Sequence, residues 1–486
     1  MADTNTDKAI KGAHSQTLVV AIRAVLSLLY FSIMSRLLSP ADFGYFALIT
    51  AVTNILNSLS EAGLGSAVIQ KKEAGRDFRS TAFTLSLITG SFFTLILFIF
   101  AEQFSNMVCG TDTLTLAFRM MSAIIFLQSV NNITWASYMK KLDFFKFGIL
   151  QISAEVLGYI IGIILAYHGY GFYAIVWVSI SYQISLTIIL AILRKYDFKI
   201  IIVKGYIRGI MRYGGWLTGA VILRNFTDEI DKIIIGRLLP ITDLGAINRP
   251  SGFVSRISSS VNGIFDTVLF PILSSIQDSP DQISRAYIKV MSLISTFSLL
   301  MASFLTLGSK LIIDIFFGPQ WEKLQLILVI FSLSLVVTGF SRIADSFFRS
   351  LGIVRNYFFA RLINWVISIT LVSIGCYFDI LGAAIGMALA SLLSCIIKYL
   401  MQVKYIEVSF KELMMSLLDN IKYPAVLLIV SSVIMVTFPY GDYVGIAVYS
   451  LLLLASLFLS PKLFGKVFQE VVIDRYVSKF KKKLSR

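Results

Sequence analysis

Apolar runs of about 20 residues recur from one end of this chain to the other, the length a helix needs to cross a bilayer's hydrocarbon core. Lipid offers no partner to a free backbone N–H or C=O, so a spanning segment forms a helix or joins a closed barrel. These runs do not alternate polar with apolar, which excludes the barrel. Composition agrees: 57% hydrophobic residues, 15% charged and a mean hydropathy of +0.80 exceed what a water-soluble fold could bury. The pattern predicts an all-α polytopic membrane protein of about fourteen transmembrane helices. They centre near residues 27, 55, 90, 126, 157, 182, 225, 257, 297, 335, 366, 390, 430 and 454. The first run is too long for a signal-peptide core and has no A-x-A-like site, so it reads as a retained helix.

The excess of +15 is unevenly spread. With the N-terminus inside, the basic stretches at 70–79, 140–146 and 194–212, those around Arg285 and Arg355, the Lys398–Lys422 connection and the tail "KFKKKLSR" all fall on the cytoplasmic side. The outer connections at 101–112, 167–172, 376–380 and 439–445 are poor in Lys and Arg. Roughly thirty of the 43 basic residues then face the cytoplasm and about five face out. An odd helix count would break that alternation, so both termini are expected inside. Anionic membrane lipids account for the basic surface, and no nucleic-acid motif is present.

A short sequence echo adds symmetry. "SRLLSPADFG" (35–44) and "GRLLPITDLG" (236–245) align at an offset of 201 residues, pairing Arg36 with Arg237, Asp42 with Asp243 and Gly44 with Gly245. The same offset pairs Arg23 with Arg224. Six helices separate the copies, so both share one orientation, as in a parallel repeat. The expected organisation is an N-lobe over 1–200 (helices 1–6), a C-lobe over 201–405 (helices 7–12), two further helices over 406–465 and a basic tail over 466–486. That is two pseudo-symmetric six-helix bundles plus two C-terminal helices. The tail reads as a surface helix on anionic lipid, with a partner-binding tail as the alternative.

Chemistry should show as charge inside the membrane, where ionisable groups usually face a bundle interior or a wet cavity. "RNFTDEIDK" (224–232) places Arg224, Asn225, Asp228, Glu229, Asp231 and Lys232 on one helical arc, with Leu223, Phe226, Ile230, Ile233 and Ile234 opposite. This arc lines a cavity or forms an ion-pair ladder, since Arg224–Asp228 and Asp228–Lys232 are each four apart, and the two can coexist. Other intramembrane charges are Arg23, Glu61, Arg119, Glu155, Arg256, Asp266, Arg342, Asp345 and Arg361. Arg119 and Arg361 stand near enough to an interface to snorkel. Arg23, Arg224, Lys232, Arg256, Arg342 and Arg361 are candidate substrate-binding cations, because a guanidinium fork pairs phosphate oxygens and keeps its charge. Glu61, Glu155, Asp228, Asp231 and Asp345 are candidates for ion coupling, by H⁺ or Na⁺, or for gates. No catalytic, cofactor or metal-binding constellation is legible: Cys109, Cys376 and Cys395 lack ligand spacing and read as unpaired, although a disulfide between Cys109 and Cys376 is conceivable.

"SRLLSPADFGYFAL", "EAGLGSAVIQKKE" (61–73), "DKIIIGRLLPITDLG" (231–245), "VLFPILSSIQD" (268–278) and "FFGPQW" (316–321) resemble, in this order, the Wzx-type polysaccharide flippases. These belong to the multidrug/oligosaccharidyl-lipid/polysaccharide exporter superfamily, and the WzxC-like branch is the most similar. The likeness covers about residues 12–405. It implies two six-helix lobes forming a V plus two extra helices, in a bacterial inner membrane. It also implies movement of undecaprenyl-diphosphate-linked oligosaccharide units to the outer leaflet, as in O-antigen lipopolysaccharide and exopolysaccharide biosynthesis. The cavity is expected to be central and often cationic, with alternating access driven by an ion gradient or membrane potential. Partners implied are the lipid-linked oligosaccharide and polysaccharide polymerase machinery. The chain departs from the family at "LGAINRP", where Ala246 replaces an aromatic residue and Pro250 is predicted to bend the start of helix 8.

Two other functions are compatible with a polytopic helical bundle. A cation-coupled drug antiporter of the same superfamily would favour acidic and aromatic cavity residues over arginines. A membrane glycosyltransferase or ligase would need a large outer loop with catalytic groups, whereas these loops are short and the two histidines, His14 and His168, stand apart from any Ser, Cys or acid constellation. The chain is therefore expected not to be an enzyme.

Overall fold

The computed structural model describes residues 2–61, 63–71, 74–140, 143–193, 198–275, 280–406, 408, 410–437 and 441–459. The surface helix expected over 466–486 lies outside these residues. Among the described residues the regular structure is helical throughout. In chain order the helices are α1 (Ala2–Leu37), α2 (Pro40–Glu61), α3 (Leu64–Gln70), α4 (Arg76–Ile99), α5 (Ala101–Cys109) and α6 (Thr115–Lys140). Next come α7 (Phe144–Tyr167), α8 (Phe172–Ile192), α9 (Lys204–Leu238), α10 (Ile241–Ser275), α11 (Pro280–Leu307) and α12 (Ser309–Ile312). The last are α13 (Gln325–Ser350), α14 (Val354–Cys376), α15 (Ile380–Ile406), α16 (Phe410–Thr437) and α17 (Gly441–Leu459).

Among the described residues, ten helical segments are long and apolar enough to cross a membrane. The other four expected spans fall on α9 and α10, 35 residues each, and on the α16–α17 region, where the described apolar stretches Lys422–Ile434 and Tyr443–Leu453 are shorter. Large apolar side chains are exposed at Ile88, Phe92, Leu95 and Ile99 of α4, one helical face. An uncovered apolar stripe of that length suits lipid. The outer connection expected at 101–112 is partly helical (α5), and its end is tied down: Ser105 Oγ donates to the Thr111 carbonyl and accepts the Leu114 N–H.

The chain divides into two compact units, Met1–Arg249 with Val372–Ala383, and Pro250–Leu371 with Ala384–Arg486. In the first, α1 packs on α7, α7 on α8, α4 on α6, and α9 along α2. In the second, Ile283, Tyr287, Met291, Ile343, Phe347 and Ile406 join α11, α13 and α15 in one core, and Tyr449 of α17 donates to the Leu300 carbonyl at 2.9 Å. α10 runs unbroken through Pro250, and the unit boundary falls immediately before that residue.

The two echoes meet inside the first unit. Gly44 lies so close to the Ile241 backbone that a Cβ would overlap its carbonyl oxygen, and a Cβ at Gly245 would overlap the Pro40 carbonyl oxygen in the same way. The offset of 201 carries Gly44 to Gly245 and Pro40 to Ile241, so the two contacts exchange under the repeat relation, as in a two-fold interface. A second ring of contacts does likewise. Arg249 reaches Ser35, and their offset mates Leu48 and Gly236 also touch. The local chemistry of the copies differs: Ser39 and Asp42 form a reciprocal cap on α2, with Ser39 N–H to Asp42 Oδ2 at 3.0 Å and Asp42 N–H to Ser39 Oγ at 3.3 Å. Pro240 takes the Ser39 place in the second copy and cannot repeat that cap.

The connector before α9 is fastened to α4. The N–H groups of Lys199, Ile201 and Val203 donate to Ser80 Oγ, Thr84 Oγ1 and Thr81 Oγ1 at 3.1, 3.1 and 3.2 Å. Phe198 and Tyr206 pack on Phe83 and Phe78. Replacing Ser80, Thr81 and Thr84 together by Ala, Val and Val removes three acceptors at about 1 kcal/mol each. Amide exchange at Lys199, Ile201 and Val203 should then speed up by at least about tenfold. Unchanged exchange in the triple variant would show that the hydroxyls do not hold this connector.

Candidate functional site

Two groups of charged side chains stand out in the first unit. Arg23 of α1 pairs with Glu155 of α7 through a fork: Nε donates to Oε2 at 3.1 Å and Nη2 donates to Oε1. Its Nη1 donates to Gln151 Oε1 at 3.3 Å, and Gln151 Nε2 donates to the Tyr182 hydroxyl of α8 at 3.4 Å. Tyr30 and Tyr159 stack with centroids 4.1 Å apart, holding the same two helices together further along.

The charged arc of α9 splits. Arg224 and Asp228 stay open to the outside and approach at 3.7 Å. Glu229 is buried, accepts from Asn54 Nδ2 of α2 at 2.9 Å and takes Lys232 at 2.5 Å. The ladder expected from i,i+4 spacing is therefore half formed, because Lys232 pairs with Glu229 three residues back rather than with Asp228. Asp231 lies half-buried on the same turn. Glu61, at the end of α2, accepts from Asn57 Nδ2 at 3.2 Å.

In the second unit Asp345 of α13, Arg361 of α14 and Lys398 of α15 form a buried triad. Arg361 Nη2 donates to Asp345 Oδ2, Lys398 Nζ stands 3.0 Å from Oδ1, and Lys398 also donates to Ser341 Oγ at 2.6 Å. Arg342 is half-buried one turn before Asp345, and Arg256 is exposed on α10. The side chain of Asp266 lies outside the described residues. The cysteines are unpaired, and no group of His, Cys, Asp or Glu among the described residues could hold a metal ion.

Two residues escaped the sequence reading. Lys398, expected in a cytoplasmic connection, lies within α15 and is 1% exposed. Arg249 was not singled out, yet it is buried, with its guanidinium 3.4 Å from the Phe31 ring centroid and 4.0 Å from that of Phe43. It also donates to Ser35 Oγ and to the Phe31 carbonyl, each at 2.7 Å. Its offset mate is Leu48, so the repeat carried no signal for it.

A family model described as "Polysaccharide biosynthesis protein" matches residues 33–325, more than half of the chain. The chain belongs to this family. Its similarity to the lipopolysaccharide biosynthesis protein WzxC of Escherichia coli is 20% identity over 85% of this chain and 84% of that protein. The succinoglycan biosynthesis transport protein ExoT of Rhizobium meliloti is 24% identical over 62% of the chain, and the match spans 61% of ExoT's own length. Among solved structures, the lipid II flippase MurJ in an inward closed conformation superposes with a TM-score of 0.71, covering 97% of this chain and 99% of that one at 14% identity. This member of the polysaccharide biosynthesis family is thus a multi-pass, helical membrane protein with a MurJ-like fold.

Proposed function

We propose that this protein is a flippase. It moves undecaprenyl-diphosphate-linked polysaccharide repeat units from the cytoplasmic to the periplasmic leaflet of a bacterial inner membrane, with both termini in the cytoplasm. The observation that carries this reading is the pair of partly exposed guanidinium groups, Arg23 of α1 and Arg224 of α9, at equivalent positions of the repeat. A charge in a spanning helix is costly and is kept where it meets a wet path or a ligand. A fixed planar cation matches a diphosphate, which carries charge and oxygens but no group needing chemistry. Relatives with transport and lipopolysaccharide biosynthesis in their names support this assignment, as does the fold shared with a lipid flippase.

In this mechanism Arg23, Arg224 and Lys232 of the first unit engage the diphosphate and any acidic sugars, while the polyprenyl tail stays in lipid. Two lobes rock to open the other side, coupled to H⁺ or Na⁺ through acids such as Asp228 or Asp231. No bond is made or broken, so the protein acts as a transporter rather than an enzyme.

The test is complementation of cells that lack their own flippase but carry matching glycan machinery. At equal membrane levels, Arg23→Ala and Arg224→Ala should each cut surface polysaccharide by about tenfold or more, the loss of one ~1.4 kcal/mol contact, and lipid-linked units should accumulate inside. Full export from both variants would remove these arginines from the transport path.

A further inference from the structure

The side-on edge of Arg23 is the edge a phosphate would use, and it is already taken. Three of the five guanidinium N–H donors go to α7: Nε and Nη2 to the two oxygens of Glu155, and Nη1 to Gln151. A carboxylate and a phosphate present the same two-oxygen face to that fork, so they exclude one another on it. The Arg23 side chain is 38% exposed and that of Glu155 is 13% exposed, which leaves the guanidinium the more reachable partner.

The other ion pairs differ. Arg224 and Asp228 make a single 3.7 Å approach within one helix. Glu229 is committed to Asn54 as well as Lys232, and the Asp345 triad is enclosed. Arg23–Glu155 combines forked geometry, two different helices and access from outside.

A carrier must bind its cargo well enough to load and weakly enough to unload. An unopposed arginine–phosphate pair away from bulk water is strong and slow to part. We propose that Glu155 is a built-in competitor for the phosphate of the transported lipid. It holds Arg23 before loading, yields it to the anionic headgroup, and reclaims it to drive release. Glu155 is thus a positioning residue acting through Arg23, with Gln151 and Tyr182 keeping the carboxylate's helix in register. This rests on the reading of Arg23 as a phosphate contact given above.

The experiment is a double-mutant cycle on the full-length protein in lipid nanodiscs, with radiolabelled farnesyl diphosphate as the probe. Glu155→Gln, which keeps the shape and removes the charge, should tighten binding by about tenfold, within the range for contacting pairs. Arg23→Gln should weaken it. On the Arg23→Gln background, Glu155→Gln should change nothing. Glu155→Asp, which keeps a carboxylate, should bind close to wild type and guards against a general disturbance of α7. In cells Glu155→Gln should export less polysaccharide despite its tighter binding. Unchanged or weaker binding by Glu155→Gln, with Arg23→Gln still impaired, overturns the competitor and leaves the phosphate reading standing. Wild-type binding by Arg23→Gln removes the phosphate contact itself, and the competitor with it.

Discussion

Gly245→Val is expected to destabilise the first unit by about 3 kcal/mol, the upper part of the range for overpacking. A Cβ at Gly245 overlaps the Pro40 carbonyl oxygen and lies 2.8 Å from the Pro40 carbonyl carbon and 2.9 Å from the Gly44 nitrogen. All three are backbone atoms, so no side-chain rotation relieves the clash and one helix must move. Gly44→Val should behave alike, because its Cβ meets the Ile241 carbonyl oxygen and carbon. Moving α2 from α10 also strains the second ring of contacts, where Arg249 is held by Ser35 and two phenylalanine rings. Gly252→Ala is the control, since nothing lies within 4 Å of its Cβ. The readouts are the thermal midpoint in detergent and the level of protein in the membrane. A Gly245→Val protein that melts with wild type would mean that the close crossing of the two copies does not contribute to stability.

That crossing shows what the sequence could and could not convey. Spanning helices are legible because lipid forces a continuous apolar run, and ten of the expected centres fall on long apolar helices among the described residues. The echo at offset 201 was legible as a repeat, but nothing in a string says that its two copies touch. The glycines at 44 and 245 acquire their meaning only when the two backbones meet. α9 was legible as a charged arc, yet not its division, because burial of Glu229 depends on Asn54, 175 residues earlier. Arg249 and Lys398 were missed for a related reason. Each is neutralised or cradled by residues far away in sequence, Phe31 and Ser35 for the first, Ser341 and Asp345 for the second. Aromatic residues 218 and 206 positions before a cation leave no spacing to read. Glu155 was legible as a charge in a spanning helix, while its partner Arg23 lies 132 residues away.

Asp345→Ala is expected to be the most damaging single truncation in the second unit, costing about 3–5 kcal/mol as a buried pair that loses one partner. Its carboxylate is shared by Arg361 and Lys398, so its removal leaves two positive charges enclosed with no acid between them. Water cannot take over, because Lys398 is 1% exposed and Arg361 is 6% exposed. The neighbouring polar groups do not replace it either: Ser341 accepts from Lys398, and Gln402 is occupied in donating to the Ala344 carbonyl. Asp345→Asn preserves the shape and should still lose most of the stability, which separates charge from packing. Lys398→Met points the opposite way. It leaves a neutral Asp345–Arg361 pair and replaces the ammonium by an apolar chain of similar length, so its effect should be within about 1 kcal/mol of zero or stabilising. The measurement is the thermal midpoint of purified protein, with wild type and the three variants side by side. Asp345→Asn melting at the wild-type temperature would show that the triad is not held by charge. Lys398→Met melting as low as Asp345→Ala would show that the lysine is an essential strut, in which case the three helices depend on both arms of the triad and not on the Asp345–Arg361 pair alone.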